Sequence, residues 1–330
     1  MKTIRFGRTG AHLPVVGFGT WPHGGPLTRG GAPVGWGQQN DRLAHDALVR
    51  AHEVGLVHWD TADVYGEGTS ERIIGAVWNE VPRSDIFLAS KVGWEAGPYE
   101  HFYHPQQIRT RFEQSLVNLG VDTIDLYYLH HCDFGPGDRY LDDALEVVRR
   151  FRDEGKIRFI GLSDWDNGKV ARLADRVDPD AVQIYRSVLE DTYQSSGLAA
   201  WVDAHDVGVA FFSPLKHGLL LGKYTSPATF EEGDVRNGIG GFRNPSLIAG
   251  LAANRAALEG RFEGIAEPVE SAILAPILAD APTGCALVGL RSPAQVDAAA
   301  RVTVDLDPGD LAWVRNQFGH LARLEGNGAP

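Results

Sequence analysis

The sequence predicts an α/β protein built as a (β/α)8 TIM barrel with long loops at its C-terminal rim. Three observations support this fold class. Short β-branched runs alternate with longer amphipathic stretches, the alternation occurs eight times, and no linker-like segment interrupts it. Because crossovers between parallel strands are right-handed, all eight strands would end on the same rim. We therefore expect residues 1–330 to form one barrel domain.

Eight short apolar runs are the candidate strands of this barrel. In chain order they end at Gly17, Asp60, Lys91, His130, Ser163, Tyr185, Ser213 and Gly289. Between them, apolar residues recur at three- and four-residue spacing, which is the pattern of an amphipathic helix. The clearest helical segments span residues 42–54, 105–119, 141–151 and 196–205.

Two glycine-rich segments break this alternation, residues 22–40 after the first strand and residues 224–244 after the seventh. Loops of this length are usually either functional lids or disordered insertions. Both follow the C-terminal end of a strand, so both would lie on the rim where barrel enzymes keep their active sites. The sequence does not distinguish the roles they have there.

The composition excludes several classes of partner. The formal net charge is −12 and the chain has no run rich in Lys or Arg, so we expect no nucleic-acid partner. The two cysteines, Cys132 and Cys285, lack metal-ligand spacing and indicate a reducing compartment. The N-terminus does not resemble a signal peptide, and no apolar run approaches the ~18 residues of a membrane span. We therefore expect a cytoplasmic protein without a membrane partner.

The ends of the second, third and fourth predicted strands carry four chemically related side chains. Asp60 ends the second strand, Tyr65 follows five positions later, and Lys91 and His130 end the next two strands. In a parallel barrel these ends converge on one small volume. Hydride addition to a carbonyl leaves negative charge on oxygen, which needs a proton or a strong hydrogen-bond donor. The set therefore indicates acid catalysis at a carbonyl.

Each of the four residues has a role in such chemistry. Tyr65 would be the acid, although a phenol in water has a pKa of about 10. The neighbouring ammonium of Lys91 would lower that pKa. Asp60 would hold Lys91 in place and keep it charged, and His130 would donate a hydrogen bond to the substrate carbonyl.

Taken singly, each residue also has a structural interpretation. Asp60 could cap a helix or a turn, and His130 could be a core histidine with satisfied hydrogen bonds. We interpret the adjacent His131 and Cys132 as structural. Four such residues at the correct ends of consecutive strands are harder to explain as packing, so we favour the catalytic interpretation.

Several motifs resemble the aldo-keto reductase superfamily over nearly the whole chain. They are RFGRTGAHLPVVGFGTW, DTADVYGEGTSERIIG, IFLASKV, DLYYLHHCD, GKIRFIGLSDW, AVQIYRSVLED and FFSPLKHGLLLGKY. The resemblance implies an N-terminal β-hairpin, and an oxidoreductase that uses a nicotinamide dinucleotide to reduce a carbonyl or oxidise an alcohol. Tyr65 would be its proton donor, and Asp60, Lys91 and His130 would complete a tetrad.

The loops after the seventh and eighth strands predict a site for the cofactor phosphates, because barrels commonly bind phosphate there. In SPLKHGLLLGK, glycines and backbone amides can approach a pyrophosphate and Lys223 supplies charge. In GLRSPAQ, Arg291 can hold a phosphate at the adenosine end, with Gln295 on the helix that follows. We predict a preference for NADP(H), with NAD(H) possible.

The resemblance implies further contacts along the rim. They are Gly19, Thr20 and Trp21 at the inner end of the cofactor; Ser163, Asp164 and Gln183 at the nicotinamide carboxamide; Phe212 stacked on the nicotinamide ring; and Gln38, Asp60, Ser213, Pro214, Leu215, His217, Gly218 and Gly289 elsewhere along the dinucleotide. The residues expected around the substrate are Trp21, Tyr65, Trp94 and His130. We expect no metal.

The chain departs from the family pattern at three places. Asp164 stands where the family often has Asn, so the hydrogen bond made there must change its polarity or its partner. Ala298 and Ala299 stand where the family often has Glu-Asn, so the adenine contact must be weaker or come from elsewhere. Residues 268–282 also deviate from the usual pattern.

Two alternative functions remain open at this point. The first is a nucleotide-binding regulatory subunit, because potassium-channel β subunits, which hold a nucleotide while modulating a partner, resemble this chain around GTW, Gln38 and SPL. They carry Asn where His130 stands here, and an intact tetrad favours turnover. A barrel hydrolase or lyase using Asp60 and His130 with a metal lacks a ligand cluster at the other strand ends. The partner we expect is a small carbonyl or alcohol, and neither its identity nor the oligomeric state can be predicted.

Overall fold

A closed barrel of parallel strands forms the centre of the structure, a computed structural model that describes residues 1–325. Within these residues the strands are β1 Thr3–Arg5, β2 His12–Pro14, β3 Val16–Gly19, β4 Thr28–Arg29, β5 Ala32–Pro33, β6 His58–Asp60, β7 Phe87–Val92, β8 Ile124–Leu129, β9 Ile157–Asp164, β10 Ala181–Tyr185, β11 Gly208–Phe212 and β12 Gly284–Gly289. The helices are α1 Asp41–Glu53, α2 Thr69–Gly75, α3 Pro105–Leu119, α4 Leu141–Asp153, α5 Asn167–Val177, α6 Leu198–His205, α7 Pro245–Arg261, α8 Pro268–Leu278, α9 Pro293–Arg301, α10 Pro308–Gly319 and α11 Ala322–Glu325.

The barrel consists of β3 and β6 to β12, and each strand pairs in parallel with the next along the chain. Closure comes from β12, which pairs with β3 through Leu287 opposite Gly17 and Gly289 opposite Gly19. This order confirms the predicted (β/α)8 barrel, and all eight barrel strands end within two residues of their predicted ends. All strand ends therefore lie on one rim. The expectation that residues 1–330 form one domain stays a prediction.

The extent of the first predicted strand was wrong, because the run LPVVG belongs to two different elements. Leu13 and Pro14 pair antiparallel with β1, whereas Val16 begins the barrel strand. Pro14 has no backbone N–H and cannot continue a ladder as a donor. The hairpin β1–β2, which the resemblance implied, is confirmed, and the barrel strand continues to Gly19.

The predicted helices agree with the structure except at their ends. Helix α3 has the predicted bounds; it follows His104, whose side chain accepts a hydrogen bond from the backbone N–H of Gln106, and it ends at Gly120 in the left-handed conformation. Helix α6 begins at Leu198 instead of residue 196, because Gly197 stands before it with φ 80°.

The two long loops of the rim contact each other. Residues 22–40 contain the short hairpin β4–β5, and residues 224–244 contain the 3-10 turns Val235–Gly238 and Gly240–Arg243. A parallel bridge joins Gly35 to Asp234, with hydrogen bonds from Gly35 N to Gly233 O (3.1 Å) and from Val235 N to Gly35 O (2.9 Å). We call these segments the paired loops.

No helix in the described part of the chain is long and apolar enough to cross a membrane.

Candidate active site

Lys91 lies at the centre of the four residues predicted for catalysis. Its Nζ donates hydrogen bonds to Asp60 Oδ1 at 2.6 Å, to the Thr61 carbonyl oxygen at 2.6 Å and to Tyr65 OH at 3.2 Å. Asp60 ends β6 and Lys91 lies one residue before the end of β7, so adjacent parallel strands bring the two side chains together. The ammonium thus lies between a carboxylate and a phenol, inside the barrel.

Burial determines the electrostatics of this group. Burial raises the pKa of Tyr65, and the charge and hydrogen bond of Lys91 lower it. The net direction is upward, so the expected lowering by Lys91 is present but is outweighed by desolvation. Burial also raises the pKa of Asp60, although the charge of Lys91 and the hydrogen bonds from Lys91 and Gln183 lower it. The pKa of Lys91 is raised because Asp60 and Tyr65 overcome the effect of burial, and Lys91 therefore stays charged.

The two adjacent histidines have different environments. His131 has both ring nitrogens engaged by the backbone, since Nε2 contacts the Gly93 carbonyl oxygen and Nδ1 accepts from Asp133 N at 3.1 Å. His130 has a buried Nδ1 without a hydrogen-bond partner among the described residues, and its ring centroid lies 5.9 Å from that of Tyr65. Burial and the charge of Lys91 hold the pKa of His130 well below its ordinary value, so this imidazole is neutral. His130 is the histidine available to a ligand.

Gln183 makes a contact with Asp60 that the sequence did not reveal. Its Nε2 donates to Asp60 Oδ2 at 2.7 Å, across the barrel from β10 to β6. Each carboxylate oxygen of Asp60 therefore accepts from a different side chain, Oδ1 from Lys91 and Oδ2 from Gln183. Gln183, which was predicted to bind the nicotinamide carboxamide, is thus in direct contact with Asp60 of the predicted tetrad.

The four residues expected around the substrate are brought together as aromatic walls. Trp21 stacks on Tyr65 with ring centroids 6.0 Å apart, and Trp94 lies 6.0 Å from His130 on the other side. The indole Nε1 of Trp21 donates to the Val34 carbonyl oxygen at 3.1 Å, which holds the ring against the hairpin of the first loop.

Close backbone packing fixes the segment that carries Tyr65. Gly66 has φ +59°, and a Cβ placed on it would lie 2.0 Å from the carbonyl oxygen of Gly24. Thr20 donates through its N and its Oγ1 to the Asp60 carbonyl oxygen, each at 2.9 Å. Only glycine allows the two loops to approach this closely, and the approach sets the position of Tyr65 against Trp21.

The loop after β11 consists of tight turns with left-handed residues. Ser213, Lys216, His217 and Gly218 all have positive φ, from 46° to 86°. Lys216 N donates to the Ser213 carbonyl oxygen and Gly218 N to the Leu215 carbonyl oxygen, each at 2.9 Å. The ring of His217 lies 5.5 Å from Trp21 and 5.7 Å from Trp36, so this loop closes against the first loop. The pKa of His217 falls to about 4 through burial and the charge of Lys216.

Other residues predicted to bind the cofactor lie at or next to the ends of barrel strands. Phe212 ends β11 and packs edge-on against Trp165, with ring centroids 4.6 Å apart. Gly19 and Gly289 pair across β3 and β12. Pro214 and Leu215 follow within the loop, and Ser163 is buried at the end of β9.

Arg291 points across the rim into the paired loops. Its NH1 donates to the Gly37 carbonyl oxygen at 3.2 Å, and its backbone N–H donates to Gln295 Oε1 at 2.7 Å. Asp297 and Asp305, which could have neutralised it, pair with Arg50 at 2.7 Å and Lys2 at 2.6 Å. Burial and the charge of Arg236 lower the pKa of Arg291.

Two predicted residues have other partners. Lys223 is exposed, and its ion pair within the described part of the chain is with Glu270 at 4.0 Å. Asp164 turns both carboxylate oxygens to backbone N–H groups, of Cys132 at 2.7 Å and of Asp166 at 2.8 Å. The Asp that replaces the family's Asn therefore has backbone partners that suit a carboxylate.

Sequence reasoning missed the polar core of the paired loops. Asp234 is buried; its Oδ2 accepts from Gly37 N at 2.8 Å and pairs with Arg236 NH2 at 2.6 Å. The guanidinium of Arg236 lies 4.7 Å from the ring of Trp36, and that of Arg291 lies 6.0 Å from it. Gln38 donates through its backbone N–H to Glu231 at 2.9 Å. Periodicity in the sequence reports only local structure, so it could not predict contacts between segments about 200 residues apart.

Residues 1–325 contain no group of three or more His, Cys, Asp or Glu residues arranged to hold a metal ion.

Comparisons with protein families, with individual proteins and with solved structures agree on one family. The model of the aldo/keto reductase family matches residues 16–315. The aldo-keto reductase yakc of Schizosaccharomyces pombe, whose name specifies NADP(+), is 31% identical over 231 residues, which cover 68% of this chain and 64% of that protein. The chain thus matches less than two thirds of that relative's length.

Two further relatives differ in what their names describe. The NADH-specific methylglyoxal reductase of Escherichia coli is 30% identical over 237 residues, covering 68% of this chain and 71% of that protein. The structure of a glycerol dehydrogenase from Gluconobacter oxydans is similar with a TM-score of 0.79 at 27% identity, covering 99% of this chain and 97% of that one.

Proposed function

Because this chain belongs to the aldo/keto reductase family, we propose that it transfers hydride between a nicotinamide dinucleotide and a carbonyl or alcohol substrate, with Tyr65 as general acid and base. One observation carries this proposal. Lys91 Nζ bridges Asp60 and Tyr65 at 2.6 and 3.2 Å, beside the neutral ring of His130. A phenol, an ammonium and a neutral imidazole at one point suit the protonation of a developing alkoxide.

In reduction, each member of the tetrad has one task. The bound reduced nicotinamide supplies the hydride. His130 is neutral and can donate one N–H to the substrate carbonyl, which orients it and withdraws charge. Tyr65 holds its proton at neutral pH, because burial raises its pKa, and gives that proton to the substrate oxygen.

The phenolate left on Tyr65 is then stabilised by the ammonium of Lys91. In alcohol oxidation the same phenolate accepts the proton. Asp60 keeps Lys91 charged throughout, and Gln183 supports Asp60 from the opposite side of the barrel. These two are positioning residues, since they act through Lys91 and Tyr65.

We propose that the dinucleotide lies along the rim over Gly19 and Gly289, which pair at the closure of the barrel and carry no side chains. Phe212, at the end of β11, would contact the nicotinamide ring. The turn of positive-φ residues after β11 would lie against the pyrophosphate. We propose that the paired loops cover the phosphates.

We propose NADP(H) as the preferred form of the cofactor. The names of the relatives do not decide this, since one specifies NADP(+) and another NADH. The argument is the guanidinium of Arg291, which lacks a carboxylate partner among the described residues and has Arg236 nearby. A 2′-phosphate carries nearly two negative charges and suits bidentate hydrogen bonds from arginine.

A carbonyl and alcohol panel tests the proposed activity directly. The purified chain is assayed with NADPH, NADH and their oxidised forms, following the absorbance of the reduced nicotinamide. Cofactor binding is titrated separately by the fluorescence of Trp21 and Trp36, which contact each other and, through Trp21, His217 in the loop after β11. We expect turnover of at least one carbonyl class with tighter binding of NADPH. Tight cofactor binding with no turnover across the panel would contradict hydride transfer and favour a regulatory role.

A further inference from the structure

An ion pair crosses the outer edge of the active site. Arg29 lies on the hairpin β4–β5 of the first loop, and its NH2 is 3.6 Å from Glu95 Oε2 in the loop after β7. The strand order is β3, β6, β7, so these two loops meet over the β6 loop that carries Tyr65. Glu95 directly follows Trp94, whose ring lies against His130. The pair therefore adjoins Trp94, one of the residues expected around the substrate.

The hairpin is anchored, so the position of Arg29 is defined. Leu27 N donates to the Gly233 carbonyl oxygen at 3.2 Å, and Val34 N donates to the Leu27 carbonyl oxygen at 2.8 Å. The charge of Arg29 also acts on the β6 loop. Burial raises the pKa of Asp63, and the charges of Arg111 and, more weakly, Arg29 lower it. Arg29 thus projects its charge toward the segment of Tyr65.

Arg29 differs from the other guanidiniums of this rim in its hydrogen bonding. Arg111, Arg236 and Arg291 each donate to a carboxylate or a carbonyl oxygen at 2.6 to 3.2 Å. At 3.6 Å, Arg29 and Glu95 form an ion pair without a hydrogen bond, and both side chains are partly exposed, at 34% and 40%. Such a pair is weak. Glu95 Oε1 also accepts from Gly97 N at 3.2 Å. Within residues 1–325, the donors of Arg29 therefore have an ion-pair partner but no hydrogen-bond acceptor.

We infer that Arg29 is a specificity-determining residue that selects carbonyl substrates bearing a carboxylate, with Glu95 as the internal group that such a substrate displaces. The inference rests on the proposed function, because it concerns the substrate of the same site. A guanidinium presents a planar fork that matches a carboxylate in two hydrogen bonds. The net charge of −12 disfavours the approach of an anion to this protein, and a cation at the mouth offsets that effect locally.

The experiment compares substrates that differ in charge but hardly in shape. 4-Formylbenzoate is assayed against its methyl ester, and 4-oxopentanoate against its methyl ester, with wild type, Arg29→Ala and Glu95→Gln. Since charge-assisted hydrogen bonds exceed exposed ion pairs in strength, we expect Arg29→Ala to lower kcat/KM for the acids about five- to twentyfold. The esters should change less than about twofold. Glu95→Gln should raise kcat/KM for the acids, because it removes the competing carboxylate.

Arg42→Ala is the matched control, since Arg42 is 91% exposed on α1 and pairs only with Asp46 within the described residues. It removes the same charge from the surface and should leave the acid-to-ester ratio unchanged. A purely structural role of Arg29 would move acids and esters together, and that result would overturn the inference. So would an acid-to-ester ratio unaffected by Arg29→Ala. A wild type that binds cofactor but reduces no carbonyl would instead contradict the proposed function.

Discussion

Replacing Lys91 by Met tests the electrostatic reasoning at the site. The change removes the ammonium that lies 3.2 Å from Tyr65 OH while keeping a flexible apolar stem. Two unit charges at this distance interact by about 5 kcal/mol at an effective dielectric constant of about 20. That energy corresponds to about four pKa units. It is an upper bound, because loss of Lys91 also raises the pKa of Asp60, and a protonated Asp60 no longer raises the pKa of Tyr65.

The sign of the effect follows from the direction of each shift. Burial already raises the pKa of Tyr65 and Lys91 lowers it, so the Met variant should raise that pKa further. In alcohol oxidation Tyr65 must accept a proton as the phenolate. At any pH below both pKa values, the phenolate fraction therefore falls by up to about four decades.

The assay is the pH dependence of kcat for alcohol oxidation, from about pH 6 to about pH 10. In wild type the rate should rise with pH throughout this range, because the pKa of Tyr65 is raised above its ordinary value. In Lys91→Met the rate should be lower at every pH in the range, by about 10²–10⁴-fold at neutral pH. Lys91→Arg should restore activity only in part, since the guanidinium has a different shape and hydration. An unchanged rate across the range in the Met variant would refute the reasoning and leave Lys91 a structural residue.

Three further outcomes are expected. Arg291→Ala should weaken NADPH binding by about one to two decades and leave NADH unchanged in fluorescence titrations; equal losses for both cofactors would exclude a phosphate contact. His58 is buried with a pKa of about 4, so its neutral form stabilises the fold above its ordinary pKa and that stability is lost as pH falls toward 4. Between about pH 7 and pH 5 the wild type should therefore lose about 2 kcal/mol more unfolding free energy than His58→Leu does. The same dependence of stability on pH in both proteins would contradict this. In urea unfolding, Gly66→Ala should lower the free energy of unfolding by at least about 2 kcal/mol more than Gly10→Ala does. Both glycines have positive φ, but only Gly66 faces a backbone oxygen, which would lie 2.0 Å from a new Cβ. Equal losses would mean that the loop moves to accommodate the new Cβ.

The barrel and the proximity of Asp60, Tyr65, Lys91 and His130 were predictable because their signals are local. Each barrel strand is a short apolar run, and parallel strands place their ends on one rim whatever the details of closure. The contact between Lys91 and Asp60 follows from that rule, since β6 and β7 are adjacent. The divided run LPVVG shows the limit of such reasoning. Its apolar pattern does not separate Leu13, which pairs with β1, from Val16, which pairs with β12, and Pro14 between them is the one residue of the run that marks the division.

The contacts that could not be predicted join residues far apart in the chain. Gln183 reaches Asp60 across the barrel, which depends on the tilt and stagger of eight strands together. The buried pair of Asp234 and Arg236 lies in a loop without periodicity and is stabilised by the first loop through Gly37. For the same reason, the proximity of Arg29 and Glu95 became visible only in three dimensions.

The replacement of Tyr65 by Phe tests the central claim most directly, because it removes one oxygen atom from the site. The stack on Trp21 would be kept, and cofactor affinity should be nearly unchanged in fluorescence titration. Tyr193→Phe serves as the control, since Tyr193 is buried against Phe211 away from the tetrad. In single-turnover reduction of a panel substrate, Tyr65→Phe should lower the rate by about 10²–10⁴-fold, while the control keeps most of its rate. A Tyr65→Phe enzyme that binds cofactor and keeps most of its rate would contradict the account.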